Sequence, residues 1–190
     1  MIVQKVLNNS LVLSMDDDSR EVIVMGKGIG FNSRPGDEIA PEKIEKLFVT
    51  QTLGARSGYL EALSAIPDEV IEMAAMIISR ANMQLASKVR EQIFFTLADH
   101  LTFAIERSRK GIAIQNRLLP EVRRFYPQQF RVANEAVTII RQQYGIELPE
   151  EEAGNIAFHL VNGQSEGDDV AQTMQSVKML KDIFNLVQYH

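Results

Sequence analysis

The feature that most limits how this chain can fold is a change of hydrophobic period near residue 55. Before it, apolar and polar residues alternate with a period of about two, which suits half-buried strands. After it, apolar residues recur at i, i+3 and i+4, the face of an amphipathic helix. Two periods in two consecutive blocks predict an α+β protein: a small antiparallel β-sheet domain, then an all-α helical bundle.

In the first block, Ile2 to Leu7 alternates, placing Ile2, Gln4 and Val6 on one face and Val3, Lys5 and Leu7 on the other. Asn8-Asn9-Ser10 has the composition of a turn. Leu11 to Met15 and Glu21 to Met25 read as further strands, separated by the acidic turn Asp16-Asp17-Asp18-Ser19. Leu47 to Thr50 is a fourth. Short strands joined by tight turns imply a meander. So little apolar mass makes a thin core, and pairing two copies would cover the remaining apolar face. The β-domain is therefore expected to dimerise.

The second block begins at Pro67-Asp68-Glu69, a proline and two acids of the kind found in a first helical turn. Helices are expected from there, over Arg90 to Arg109, Leu118 to Phe125, Phe130 to Tyr144, from Pro149 to about Val161, and over Val170 to Tyr189. The expected domains are 1–55, a linker over 56–66, a bundle over 67–165, and a second linker with the start of another domain over 166–190.

Composition excludes several classes of function. The chain has 190 residues, 45% apolar and 24% charged, the balance of a globular protein. It has no cysteine, so disulfides and thiolate metal sites are ruled out. No apolar run nears the ~18 residues of a membrane span, and the N-terminus lacks the marks of a signal peptide. Neither membrane insertion nor export is expected, and the simplest location is the cytoplasm. The net charge of −5 argues against a broad nucleic-acid-binding surface.

Three features could carry chemistry. The first is Gly26-Lys27-Gly28-Ile29-Gly30-Phe31. It is not followed by a helix, and its lysine sits inside the glycines, so it is not a nucleotide-hydrolysing phosphate loop. Its bland reading is a bulged β-connection; its functional reading is close approach to a ligand, with Lys27 on phosphate and Phe31 stacked on a base. The second is the histidine pair. His100 shares a helical face with Arg107 seven residues on and follows Asp99, while His159 lies seven residues after Glu152 and four after Asn155. Two separated histidines supply too few ligands for zinc, and no nucleophile elbow is present. The remaining chemistry is regulatory: imidazole can accept a phosphoryl group, whose charge would fall beside Arg107. The third is the basic run Arg107, Arg109, Lys110, Arg117, Arg123 and Arg124, ordinarily a solvated face.

These features together resemble the BglG/LicT/SacY family of transcriptional antiterminators. Lys5-Val6-Leu7-Asn8-Asn9, Val24 to Phe31 and Ile44-Glu45-Lys46 resemble its co-antiterminator RNA-binding domain. Leu97 to Arg107 and Leu148 to His159 resemble its first phosphotransferase-system regulation domain. The resemblance implies a β-domain dimer gripping a hairpin in a messenger leader that overlaps a terminator, with Lys5, Asn8, Ser10, Gly26, Lys27, Gly28 and Phe31 on the RNA. It implies phosphorylation of His100 and His159 by the enzyme II of a sugar transporter, with Asp99 and Arg107 in support. It implies a binding regulator, not an enzyme, with no cofactor and no metal. The chain departs from many relatives at Ser10, where they have Asn, and at Lys27, where they have Arg; lysine cannot make a bidentate guanidinium contact. Relatives also carry a second regulation domain beyond the point where this sequence stops, so constitutive RNA binding is expected. Two other classes remain: a DNA-binding sugar-responsive regulator, which would need a basic recognition helix, and a histidine-dependent metal enzyme.

Overall fold

A computed structural model describes residues 1–49 and 57–164, together with Met179. Apart from Met179, the helix expected over Val170 to Tyr189 lies outside the described residues, as does Thr50. The chain divides into two compact units, Met1–Glu72 and Met73–His190.

The first unit holds a four-stranded antiparallel meander, β1 (Val3–Val6), β2 (Leu11–Met15), β3 (Glu21–Met25) and β4 (Lys46–Val49), in spatial order β1-β2-β3-β4. The register pairs Val6 with Val12, Leu13 with Ile23, and Ile23 with Phe48. One cluster joins Val3, Val12, Val22, Val24, Ile29 and Ile39, with Val6 packed against it. Val3 and Val6 were expected on opposite faces. They reach the same cluster because the register shifts between Val3 and Lys5, and a bulge there resets the alternation. The other face of the central strands is also covered: Leu11, Leu13, Ile23 and Phe48 are buried within the single chain. Among the described residues the central strands leave no bare apolar face, and the exposed large apolar side chains of the β-strand region are Ile2, Phe31 and Leu47.

The same unit contains a helix where a linker was expected. Helix α1 (Ser57–Ser64) occupies most of 56–66, and Leu63 and Ile66 are buried. Its apolar residues belong to a packed corner, not a spacer. The two compact units divide inside α2 (Asp68–Gln84).

The second unit is helical: the remainder of α2, then α3 (Ile93–Arg109), α4 (Leu119–Phe125), α5 (Pro127–Tyr144) and α6 (Glu150–Gln164). Gly145 ends α5 in the left-handed region at φ 66°, its N–H bonded to the Arg141 carbonyl. Helix α6 packs against α5, α3 and α4. Nearly every residue from Glu152 to Gly163 is buried, so its polar side chains must find partners inside the bundle.

Candidate RNA face and histidine cleft

In the first unit, two loops meet. The Gly26 N–H donates to the Ser10 carbonyl at 3.1 Å and the Gly30 N–H to the Asn9 carbonyl at 2.9 Å. These bonds bring the 8–10 turn and the 26–31 loop, both expected on RNA, onto one face. The glycines divide into two kinds. A Cβ on Gly26 would lie 1.8 Å from the Lys43 carbonyl oxygen, and one on Gly30 would lie 2.0 Å from that of Asn8. Both serve close backbone approach, as the bland reading held. Gly28 differs: its φ is +66° and nothing lies within 4 Å of where its Cβ would be. It sits at an open surface beside exposed Lys27, and Phe31 exposes 65% of its surface. An aromatic left that bare next to a lysine and an open backbone is suited to stacking on a base. Lys5 is exposed on β1.

Asn8 and Ser10 are not open in the same way. Ser10 is buried, and the Asn8 side chain accepts from the Ser10 N–H at 3.0 Å, an Asx turn. The Asn8 amide donates at 3.2 Å to both the Leu63 and Ile66 carbonyls, which closes the C-terminal end of α1. Asp16-Asp17-Asp18 forms the turn expected of it, exposed at Asp17 and Asp18 and half-buried at Asp16, with Arg20 paired to Asp16 and Asp18.

In the second unit, α3 and α6 bring the two histidines face to face, ring centroids 5.0 Å apart and tilted 42°. Between their helices lies Glu152, 1% exposed. Its Oε1 accepts from Arg107 at 2.8 Å, its Oε2 stands 3.0 Å from His100 Nε2, and the Asn155 amide donates to Oε2 at 3.0 Å. His100 Nε2 makes no hydrogen bond of good geometry, so this contact is one of proximity. Burial works to raise the Glu152 carboxyl, but His100, Asn155 and Arg107 outweigh it and hold it at about 2. Asn116 extends the network, donating to Asn155 Oδ1 at 3.0 Å.

His159 has the opposite character. Burial pushes its pKa down to about 3, with help from His100 and against the pull of Glu152. Its Nδ1 is buried without a partner. At neutral pH the ring is uncharged and keeps a nucleophilic lone pair. A cleft of about 570 Å3 opens onto this group, lined by His100, Arg107, Asn116, Arg117, Asn155 and His159 among others.

The residue expected to support His100 alongside Arg107 was Asp99. It is exposed on α3, one residue and about 100° of helix away, and among the described residues no ion pair joins it to either histidine. The carboxylate that contacts both His100 and Arg107 is that of Glu152. The signal was present in the sequence, since Glu152 precedes His159 by seven and so shares its face. What the sequence lacked was the pairing of α3 with α6.

The RNA-binding domain known as the CAT domain matches residues 1–55, and the PRD domain matches residues 75–163. The chain is 35% identical over 190 residues to the transcription antiterminator LicT of Bacillus subtilis, covering all of this chain and 68% of that protein. This chain belongs to the BglG/LicT family of transcriptional antiterminators. The beta-glucoside operon antiterminator of Dickeya chrysanthemi is 39% identical over 189 residues; the match covers all of this chain and 66% of that relative's length. The crystal structure of GlcT CAT-PRDI superposes with a TM-score of 0.75 at 28% identity, over 87% of this chain and 98% of that one. The α+β architecture expected from the two periods is that of the family.

Proposed function

We propose that this antiterminator, as a homodimer, stabilises a messenger-leader hairpin that overlaps a terminator, and that phosphorylation of His100 and His159 by a sugar transporter's enzyme II controls it. The RNA would meet Lys5, Asn8, Ser10, Gly26, Lys27, Gly28 and Phe31. The observation that carries the regulatory half is the pair of histidine rings 5.0 Å apart beside a guanidinium already held by a buried carboxylate.

The chemistry follows from that arrangement. A phosphoryl group in the cleft brings nearly two negative charges within reach of Arg107 and against Glu152. Arg107 then has two anions to choose between, and the α3–α6 clamp has two packings. The nitrogens are not equivalent. His100 Nε2 faces the Glu152 carboxylate at 3.0 Å; a proton held on that side would leave Nδ1 as the nucleophile. On His159 the buried atom is Nδ1, which leaves Nε2. In each transfer the histidine lone pair forms the new N–P bond while the bond from phosphorus to the donor breaks. Phosphorus NMR of chain phosphorylated by enzyme II is expected to show the Nδ1 isomer in His159→Ala and the Nε2 isomer in His100→Ala. Undiminished incorporation in the double variant would refute the assignment of both histidines.

The RNA half is tested by titrating hairpin against salt. A compact site of few phosphate contacts predicts a slope of about −0.7 to −0.9 per contact. Phe31→Ala is expected to weaken binding about tenfold or more, the loss of one stacking platform. Light scattering checks the dimer.

A further inference from the structure

The turn assigned above to RNA already holds an acid of its own chain. Asp68, the first residue of α2, accepts from Ser10 Oγ at 2.8 Å through Oδ1 and from Asn9 Nδ2 at 2.9 Å through Oδ2. Next to it the Asn8 amide spends both protons on the Leu63 and Ile66 carbonyls. Three consecutive polar side chains are thus engaged by residues 63–68 of the same unit. A two-oxygen anion accepting from a hydroxyl and an amide presents the same pattern as an RNA phosphate. Both cannot occupy these donors together, and a carboxylate beside the site repels the phosphates of any RNA that approaches.

A purely structural role for Asp68 is the competing account. An acid suits the first turn of a helix whatever it touches, but Glu69 already provides one there. The dipole does not require that both Asp68 oxygens be aimed at the 8–10 turn.

We propose that Asp68 is an affinity-setting residue of the RNA site, an internal anion that holds Asn9 and Ser10 until a hairpin displaces it. This rests on the reading that the 8–10 turn faces RNA. It replaces the expectation of unrestrained constitutive binding with one of binding in competition with α2.

The test uses the whole chain and a labelled hairpin selected for binding to it from a pool of stem-loops with randomised loops. Asp68→Asn is expected to tighten binding at least fivefold by fluorescence anisotropy. Glu69→Gln, which removes the same charge one residue along, is expected to stay within twofold. Equal or weaker binding by folded Asp68→Asn overturns the proposal. Should that variant not fold, the wild type decides: saturating hairpin is expected to move the side-chain amide resonances of Asn9, and unmoved resonances overturn the proposal. A pool that yields no binder, or binding indifferent to Phe31→Ala, overturns the RNA reading itself and this proposal with it. Binding lost on Phe31→Ala but unchanged on Asp68→Asn overturns only the role of Asp68.

Discussion

Single residues separate support from contact most sharply among the glycines. Gly30→Ala would set a Cβ 2.0 Å from the Asn8 carbonyl oxygen, a backbone atom that can yield only by moving the turn. A loss of about 2–3 kcal/mol is expected, the range of overpacking, seen as a lower urea midpoint. Gly28→Ala meets no atom, so only its left-handed backbone counts against it, roughly 1 kcal/mol. If the open face reads RNA, Gly28→Ala nonetheless loses hairpin affinity out of proportion to its stability. Equal effects of the two variants on binding would mean that the loop is scaffold alone. The sequence showed three glycines of one motif without showing this division, because close approach depends on a carbonyl from a distant segment. Glu152 was obscured in the same way, its partner Arg107 lying 45 residues earlier. Glu152→Gln leaves a part-buried guanidinium without its counter-charge. A cost of about 2–3 kcal/mol is expected, below the figure for a fully buried pair because Arg107 keeps 31% of its side chain in solvent. A double-mutant cycle with Arg107→Gln is expected to show coupling above about 1 kcal/mol, and additivity would remove the pair from the account.

Elements were legible where they were long and periodic. Helices α2, α3, α5 and α6 carry apolar stripes or proline and glycine ends that local chemistry explains. Helix α1 was not, being eight residues with a glycine second, and so it read as a boundary. The face switch in β1 was equally hidden, since a bulge leaves no mark in a four-residue strand. At this scale α6 matters most, because it carries both Glu152 and His159 and is buried nearly all round. Phe158, 1% exposed and lining the histidine cleft, is the test of that packing. Phe158→Ala is expected to cost 3–5 kcal/mol, roughly the value for a buried aromatic, and to shift the imidazole resonances of both histidines. Phe103→Ala, on α3 but 54% exposed, is expected to stay within about 0.5 kcal/mol. Similar losses at both positions would mean that α6 is not the centre of the bundle.

For the molecule as a whole, the buried pair predicts how stability depends on acid. Burial pushes His159 in the folded chain down to about 3, against about 6.5 for an imidazole in water, so between those values only the unfolded chain holds its proton. The unfolded state then binds more protons, and stability falls as pH falls, by about 1.4 kcal/mol per pH unit for one proton. Its contribution is complete above pH 6.5. Glu152, at about 2 against 4.5, acts in the same direction but lower: its contribution is present above pH 4.5 and is lost as pH falls toward 2. Two regimes follow, a gentle decline below pH 6.5 owed to His159 and a steeper one below pH 4.5 in which Glu152 joins it. Urea midpoints measured between pH 7 and pH 5 test the first by the difference between wild type and His159→Gln, because carboxylates scarcely titrate there and the other two histidines are common to both chains. His159→Gln removes the buried titrating ring while keeping a polar side chain of similar reach, so its curve is expected to fall less steeply with acid than that of the wild type over that range, whatever its absolute height. A decline of unchanged slope in His159→Gln would assign the acid sensitivity to another group. It would also remove the reason for treating His159 as a neutral nucleophile at cellular pH, since the burial that weakens its base is what leaves its lone pair free for phosphorus.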